Sequence, residues 1–406
     1  MYFFSSRLRR PLLSALAATV LALQSGFAAG LAGTTAAPLS AGRSVLELPP
    51  SPGNARNSEG AFIALKGGRT LFVYSHFVGD DNDDHAKAVL ASRISSDDGD
   101  TWSGDTVIAT PGEDKAMNVM SVSLLRLGNG DVGLFYCLRN SWHDLRMQLR
   151  RSSDEGRTWS DPVMCMHASE YYVVNNDRVI RLSSGRLLIP AALHRKITDA
   201  NVQESLDWRG IASFFLSDDD GRSWREAPMA CTLPSAHTRA GLQEPGVTEM
   251  ANGVLWGYAR TDLGRQYEFF SSDGGETWTI PQPSRFSSPV SPLSMKRLPG
   301  SGNLLAIWNP IPNYQTRPLE KPAGDRTPLV GAIGFGVTDA TWGPTFLVDR
   351  NDVDHEGYCY TAIHFTGKSV LLAYCAGGKA DKHRLNRLRI RKIDLDVFTA
   401  FAPKAR

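Results

Sequence analysis

A short acidic loop in the first quarter of the chain carries the densest set of chemically active side chains. In GDDNDDHAKAV, four aspartates (Asp80, Asp81, Asp83 and Asp84) directly precede His85. Loop carboxylates can donate and accept protons, and neighbouring acids raise one another's proton affinity. The same run also fits a solvated charge cluster or a weak calcium site. The loop is therefore a candidate for general acid and base chemistry.

A glutamate and an arginine farther along the chain are separated by the length of one β-hairpin. Glu244 lies in LQEPGVTEM, and Arg260 ends the apolar run LWGYAR. Because the two strands of a hairpin start and finish at the same edge of a sheet, both side chains can emerge on one face. The alternative for each residue alone is a turn cap for the glutamate and a surface ion pair for the arginine.

A repeated phrase indicates the elements that must position these residues. Ser-x-Asp-x-Gly-x-Thr/Ser-Trp, called the Asp box below, begins at Ser95, Ser152, Ser217 and Ser271. Each copy follows a β-like run and precedes another strand, at a spacing typical of one four-stranded propeller blade. In a hairpin turn, Ser and Asp hydrogen-bond the backbone, Gly supplies a positive φ, and Trp packs onto the next blade. We therefore expect the box aspartates to be structural.

A second phrase, strand–Gly turn–strand, recurs between the boxes and predicts six hairpins. The six copies are FIALKGGRTLFVY, SLLRLGNGDVGLFY, RVIRLSSGRLLIPA, VTEMANGVLWGYA, SMKRLPGSGNLLAIW and IHFTGKSVLLAY. An eroded box, GFGVTDATW, follows the fifth. No long amphipathic helix pattern accompanies them. The sequence predicts an all-β, six-bladed β-propeller over residues 44–403.

Composition excludes several classes of function. The 406 residues include 44 basic and 42 acidic side chains, a net charge of +2, so the chain lacks the basic footprint of a nucleic-acid-binding protein. The five cysteines form no CxxC pair or Cys/His cluster, so we expect no metal site. Phosphate-binding, haem and flavin signatures are missing too, so we expect no cofactor.

The N-terminus has the pattern of a secretory signal peptide. Arg7, Arg9 and Arg10 precede the apolar run PLLSALAATVLAL, which is too short to span a bilayer. We expect a signal peptide over residues 1–29 and a flexible lead over 30–43. The alternative is a retained membrane anchor. The first reading predicts export to the periplasm or the cell exterior and no membrane span after cleavage.

Six hairpins with four Asp boxes resemble the sialidase (neuraminidase) superfamily, also called BNR-repeat proteins. The resemblance covers the whole predicted propeller. It implies an exo-α-sialidase-like glycoside hydrolase that releases terminal sialic (nonulosonic) acids from glycans with retention of configuration. Its partners would be sialylated or other acidic glycans.

The resemblance also implies a set of site residues in a fixed chain order. Three arginines hold the substrate carboxylate, because guanidinium groups stay charged and bind carboxylates through paired hydrogen bonds. They match Arg56 in GNARNSEGAF, Arg260, and Arg326 in GDRTPLV, with Arg317 as a fallback for the third. The usual residues around the first arginine are absent, and so is the glutamate that steadies it; Glu59 is expected to take that place.

The catalytic residues implied by the resemblance are a tyrosine, a glutamate and an aspartate. A neutral phenol avoids repulsion by the substrate carboxylate, and Tyr360 in YTAIHF fits this nucleophile, with Tyr358 as a competitor. Glu244 matches the base that activates the phenol. Asp84, with Asp83 as a competitor, matches the loop acid that protonates the leaving oxygen.

His85, Asn176 and Gln266 are secondary candidates for substrate contacts. Two other functions remain open from the sequence. The first is a propeller glycosidase or lyase that acts on a uronate-containing polysaccharide, with His85 or His194 as its acid or base. The second is a non-catalytic glycan-binding propeller that keeps the arginines without the chemistry.

Overall fold

The described part of the computed structural model is almost entirely β-structure. It covers residues 41–112, 116–233, 237–311, 326–334, 341–350 and 357–399, all in a compact unit over Ser40–Arg406. The predicted signal peptide and Arg317 lie outside these residues. The only α-helix among them is α1 (Leu395–Thr399), and two 3-10 turns span Gln203–Ser205 and Lys379–Asp381. The all-β prediction is confirmed.

Twenty-five strands are numbered here in chain order. The first fourteen are β1 (Arg43–Leu48), β2 (Arg56–Leu65), β3 (Arg69–Phe77), β4 (Ala88–Ser95), β5 (Thr106–Ala109), β6 (Asn118–Arg126), β7 (Val132–Ser141), β8 (Asp144–Ser152), β9 (Val163–Met164), β10 (Tyr171–Val173), β11 (Ile180–Arg181), β12 (Leu187–His194), β13 (Ile211–Ser217) and β14 (Arg225–Glu226). The others are β15 (Gln243–Glu249), β16 (Leu255–Arg260), β17 (Arg265–Ser271), β18 (Gln282–Ser287), β19 (Ser294–Arg297), β20 (Leu304–Trp308), β21 (Leu329–Gly334), β22 (Phe346–Asp349), β23 (Gly357–Phe365), β24 (Ser369–Gly377) and β25 (Leu388–Asp394).

These strands form five hydrogen-bonded sheets. Three are antiparallel meanders of four consecutive strands: β2–β5, β15–β18 and β19–β22. A fourth has the order β1-β25-β24-β23, so the first strand pairs with the last. The fifth has nine strands, in which β6–β9 and β10–β14 meet through one parallel pair, Tyr171 opposite Leu145. The number of blades stays a prediction.

Every hairpin predicted from the sequence is an antiparallel pair. The six are β2–β3, β6–β7, β11–β12, β15–β16, β19–β20 and β23–β24. Strong alternation of apolar residues around a Gly-containing turn is a local signal, and for this reason it could be identified without knowledge of the tertiary contacts.

The Asp boxes close four further hairpins, as predicted. In the first box, the Ser95 hydroxyl donates to Asp97 and accepts the amide of Gly99, whose φ is 85°. Asp97 then accepts the amide and hydroxyl of Thr101. The other three boxes have the same hydrogen bonds. In each, the serine hydroxyl donates to the aspartate and accepts from the glycine amide, and the hydroxyl of the later threonine or serine donates to the aspartate. The box carboxylates are thus bound within their own turns.

Box tryptophans and aliphatic side chains form the core between neighbouring sheets. Trp278 of the fourth box stacks on Phe214 of β13, with ring centroids 4.3 Å apart, and Trp224 meets Phe135 of β7 edge to face. All five cysteines are buried and none forms a disulfide, so they pack as small core residues. No helix among the described residues has the length and apolar character of a membrane span.

Adjacent serines in the first box give a matched test of its role. Ser95→Ala is expected to lower the free energy of unfolding by about 1–3 kcal/mol, because the buried Gly99 amide loses its acceptor. Ser96→Ala, at the exposed neighbouring position, is expected to change it by less than about 0.5 kcal/mol. Urea denaturation measures both values. Equal effects of the two substitutions would contradict a structural role for the box.

Candidate active site

One edge strand in each of four sheets bulges at one residue, and each bulge residue has a positive φ. These residues are Glu59 on β2 (φ 55°), Ser121 on β6 (60°), Glu244 on β15 (46°) and Tyr360 on β23 (59°). Strand pairing is interrupted at each of them. Left-handed conformations of non-glycine residues are strained and concentrate at functional sites. All four side chains line one cavity of about 300 Å³.

Tyr360, Glu244 and Arg260 form a contact network in this cavity. The Tyr360 hydroxyl donates to Glu244 Oε1 at 3.4 Å, and Arg260 Nη2 lies 3.2 Å from the same oxygen. Burial and the neighbouring Glu244 carboxylate raise the pKa of the Tyr360 phenol, although Arg260 and Arg326 act against them. The phenol is therefore neutral at rest and has a carboxylate within reach of its proton.

Arg326 lies over the ring of Tyr360, with its guanidinium carbon 5.5 Å from the ring centroid. Its Nη2 donates to the Val290 carbonyl, and the Cys359 thiol lies next to the guanidinium group. Among the described residues, its buried Nε and Nη1 have no nitrogen or oxygen acceptor, and neither have Nε and Nη1 of Arg260. Buried N–H donors without acceptors are rare and costly, so these guanidinium groups are suited to an anionic ligand.

Arg56 is held between two carboxylates. Its Nη1 is 2.5 Å from Asp84 Oδ1, and its Nη2 is 3.2 Å from Glu59 Oε1. The contact with Glu59 agrees with the expectation that Glu59 steadies this arginine. Burial raises the pKa of Glu59 to about 7 against the opposing charge of Arg56, with Asp84 and Glu244 contributing to the rise. Glu59 therefore titrates near neutral pH.

The acidic loop lines the cavity with Asp83, Asp84 and His85. Asp83 accepts a hydrogen bond from the ring of His85 at 2.8 Å, whereas Asp84 bonds Arg56. Partial burial raises the pKa of Asp84, but the charge and hydrogen bond of Arg56 outweigh it and lower the value to about 2. Burial and the charge of Arg139 lower the pKa of His85 to about 4, so its ring is neutral at pH 7.

The two candidate tyrosines have different surroundings. Tyr360 faces the cavity, because its bulge turns it away from the regular alternation of β23. Tyr358 is fully buried in an apolar cluster and meets the ring of Tyr374 at 5.9 Å. The tertiary contacts therefore favour Tyr360 for any role in chemistry at the cavity.

Two of the secondary candidates lie outside the cavity lining. The amide group of Asn176 donates to the backbone carbonyls of Gly60 and Tyr360, so it supports the bulge that carries the tyrosine. The amide of Gln266 donates to Ser288 and to the Ser291 carbonyl. Only His85 of the three secondary candidates reaches the cavity.

Sequence reasoning missed several residues of the cavity wall. Ser121, Arg139, Tyr171 and Trp208 line it, and none belongs to a recognisable motif. Arg139 lies within the strand VGLFYCLRNS, where its position in the repeat carries no sign of a ligand. Among the described residues, no group of three or more His, Cys, Asp or Glu side chains is arranged to hold a metal ion.

Comparisons with known proteins agree with this architecture. Residues 52–370 match the model of the BNR repeat-like domain. The chain is 27% identical over 241 residues to the anhydrosialidase of Macrobdella decora, which covers 53% of this chain and 27% of the relative. It is 23% identical over 265 residues to the sialidase of Clostridium perfringens, covering 59% of this chain and 63% of the relative. It thus spans less than two thirds of either relative.

The solved structure of the Ruminococcus gnavus intramolecular trans-sialidase, bound to oseltamivir carboxylate, has a similar fold. The TM-score is 0.67 at 14% identity, and the match covers 90% of this chain and all of that one. At this identity the likeness concerns the fold, an all-β fold of the sialidase β-propeller type. With the match to the BNR repeat-like domain over most of its length, the chain belongs to the sialidase superfamily as a divergent member.

Proposed function

We propose that this protein is a retaining exo-α-sialidase, a glycoside hydrolase that removes terminal sialic acids from glycans. The observation that carries the proposal is the phenol of Tyr360 beside the Glu244 carboxylate, with two buried, partly unpartnered guanidinium groups next to it. An arginine cluster suits the substrate carboxylate, and an activated phenol suits attack on a carbon that bears a negative group.

The fold we propose for this activity is a closed propeller of six blades. Four blades are the four-stranded sheets. The nine-stranded sheet supplies the other two, β6–β9 and β10–β14, because a single parallel pair joins them. Pairing of β1 with β25 supports closure between the two ends of the propeller. We also propose that residues 1–29 direct export, so that the enzyme meets glycans outside the cytoplasm.

Arg56, Arg260 and Arg326 bind the substrate carboxylate in this proposal. Their charges come from separate strands or loops, and each contacts a proposed catalytic group: Asp84, Glu244 and the ring of Tyr360 respectively. Binding through a rigid, buried set of donors would orient the anomeric carbon toward the phenol. His85 contributes to the wall beside the acidic loop.

Tyr360 attacks the anomeric carbon while Glu244 accepts the phenol proton. Because burial raises the pKa of this phenol, the proton leaves only as the bond to carbon forms. The bond between the sugar and the leaving oxygen breaks, and Asp84 donates its proton to that oxygen. Water, deprotonated by Asp84, then attacks the anomeric carbon and breaks the tyrosyl-glycosyl bond, while Glu244 returns its proton to the phenol oxygen. The two displacements together retain the original configuration.

Asp84 requires a change of environment to act as an acid. Its contact with Arg56 lowers its pKa to about 2 in this structure. A substrate carboxylate that pairs with Arg56 removes part of this stabilisation and adds a like charge nearby. Both changes raise the pKa of Asp84. Substrate binding thus prepares the proton donor, and free enzyme keeps this carboxylate ionised.

A fluorogenic α-sialoside tests the proposal directly. We expect release of the fluorophore by purified protein, with the α-anomer of free sialic acid as the first product seen by proton NMR. Since two of the relatives are named anhydrosialidase and intramolecular trans-sialidase, the NMR spectrum also distinguishes an anhydro product from hydrolysis. Binding of sialic acid without any turnover would contradict an enzyme, and activity only on a uronate polymer would contradict the substrate class.

Glu59 gives the site a predicted pH dependence. As the pH rises through about 7, ionised Glu59 competes with the substrate carboxylate for Arg56, so KM for a sialoside is expected to increase. Glu59→Gln keeps an oxygen near Arg56 and removes the titration, which should abolish this inflection. KM measured between pH 5.5 and 8.5 tests both statements.

A stability measurement provides an independent readout for Glu59. The pKa in the folded state exceeds the value of 4.5 for an ordinary glutamate, so this group favours folding most below pH 4.5, and the contribution disappears as the pH rises through about 7. The melting temperature of wild type should therefore fall relative to that of Glu59→Gln as the pH rises through about 7. The control is Glu249→Gln. The Glu249 carboxylate accepts a hydrogen bond from Ser183 and does not line the cavity. A KM inflection that survives in Glu59→Gln would contradict the assignment.

A further inference from the structure

Arg139 lines the cavity together with Arg260, and it plays no part in the mechanism above. It lies on β7 with only 3% of its surface exposed, and it lines the cavity together with Glu244 and Tyr360. Its Nη2 donates to the sulfur of Met120 at 3.4 Å, a weak acceptor. Its Nε and Nη1 are buried and have no hydrogen-bond partner among the described residues. The described part of the protein therefore leaves most of its donors unsatisfied.

Arg178 shows how this chain satisfies most of the donors of a buried arginine outside the cavity wall, although its Nε also has no partner among the described residues. It is equally buried at 3% exposure and stacks on the ring of Tyr258. Its two terminal nitrogens donate to the Tyr258 hydroxyl and, at 2.6 Å, to the Leu293 carbonyl. It is also absent from the cavity wall. Arg139 differs in both respects, since it lacks oxygen acceptors and faces the cavity.

The charge of Arg139 is not neutralised by a direct ion pair within the part of the chain that the structure describes. Its effect reaches the acidic loop, where it contributes, after Arg56, to the lowered pKa of Asp84 and, after burial, to that of His85. Asp84 itself contacts Arg56. A buried cation without a contacting carboxylate is costly, and the cost is recovered when an anion binds to it.

Aromatic rings flank Arg139 along the cavity wall. Its guanidinium carbon lies 5.5 Å from the ring centroid of Tyr171. Tyr171 in turn meets Trp208 at 6.1 Å, and Trp208 meets His194 at 5.2 Å. Flat, largely apolar surfaces of this kind suit the face of a sugar ring, while the guanidinium group suits a charged substituent at its edge.

We infer that Arg139 binds a second anionic group of the substrate, and that the preferred substrates are dianionic glycans. Such a glycan carries a carboxylate or sulfate besides the carboxylate of its terminal acidic sugar. The inference rests on the proposed function, because it places the terminal sugar at Arg56, Arg260 and Arg326. A hydroxyl or amide could accept one hydrogen bond from Arg139, but only an anion also neutralises its buried charge.

Matched pairs of ligands test the inference. Sialyllactose is compared with a sulfated sialyllactose, and a monosialyl with a disialyl glycoside, by titration calorimetry and by kcat/KM. For wild type, at least one dianion is expected to bind about 10- to 100-fold more tightly than its monoanionic counterpart, as a hydrogen bond to a charged group predicts. In Arg139→Gln the ratio of the two affinities should fall to about one.

Two further variants separate this role from others. Arg139→Lys retains the charge and should keep part of the dianion preference, whereas Arg178→Gln, the matched buried arginine, should keep all of it. No preference in wild type, or a preference that survives in Arg139→Gln, would overturn the inference. If Arg139→Gln weakened the binding of both ligands of a pair by the same factor, the inference would also be overturned, because Arg139 would then bind the part that the two ligands share. Calorimetry decides the question even if no sialoside is hydrolysed, in which case the proposed function alone fails.

Discussion

Tyr360→Phe is expected to lower kcat for a fluorogenic sialoside by roughly 10³-fold or more, the scale on which loss of a catalytic nucleophile acts. The substitution removes only the hydroxyl group, whose contact with Glu244 at 3.4 Å is long for a hydrogen bond. The ring of Tyr360 and its stacking with Arg326 persist. Binding of sialic acid and the melting temperature should therefore remain close to those of wild type.

Tyr358→Phe is the matched control on the same strand. Tyr358 is fully buried in the apolar cluster with Tyr374, so its substitution should affect stability and leave kcat within a few-fold of wild type. Steady-state kinetics and thermal melts on both variants make the comparison. Full activity in Tyr360→Phe, or an equal loss in Tyr358→Phe, would show that the phenol of Tyr360 is not the nucleophile.

Arg326→Lys is expected to raise KM for a sialoside by roughly 30-fold or more, with a smaller change in kcat. Lysine keeps the positive charge next to Tyr360 but lacks the planar donors that match a carboxylate. Loss of a buried, charge-assisted hydrogen bond costs about 2–5 kcal/mol in binding, and each 1.4 kcal/mol corresponds to a factor of ten. Calorimetry with free sialic acid measures the same loss without turnover.

The stability of this variant should change in a way that separates binding from folding. Nε and Nη1 of Arg326 have no nitrogen or oxygen acceptor in the described residues, and the neighbouring Cys359 sulfur is a weak acceptor, so their removal costs the fold little. Arg178→Lys, in contrast, breaks buried hydrogen bonds to Tyr258 and the Leu293 carbonyl and should lower the melting temperature with KM unchanged. If Arg326→Lys bound sialic acid as wild type does, Arg326 would not be part of the carboxylate site.

Much of the architecture follows from local signals in the sequence. Each Asp box closes its own turn through hydrogen bonds among residues no more than four positions apart, so the motif specifies the hairpin without outside help. Apolar alternation around Gly-containing turns likewise identified the six hairpins. The order of Arg56, Asp84, Glu244, Arg260, Arg326 and Tyr360 along the chain supplied the candidates. In the structure, Arg56 contacts Asp84, and Glu244, Arg260, Tyr360 and Arg326 form a second contact group. Asp84, Glu244, Arg260 and Tyr360 line the same cavity.

The tertiary structure decided which side chains share the cavity. Positive-φ bulges at Glu59, Ser121, Glu244 and Tyr360 turn side chains inward against the regular alternation of their strands, and no residue pattern announces them. For the same reason the sequence left Tyr358 and Tyr360 in competition and did not reveal Arg139. Hydrogen bonds within a turn depend on neighbouring residues, whereas convergence on a cavity depends on how distant sheets pack. The chain alone therefore determined the hairpins and the set of candidates, and the packing of the sheets determined which of them line one cavity.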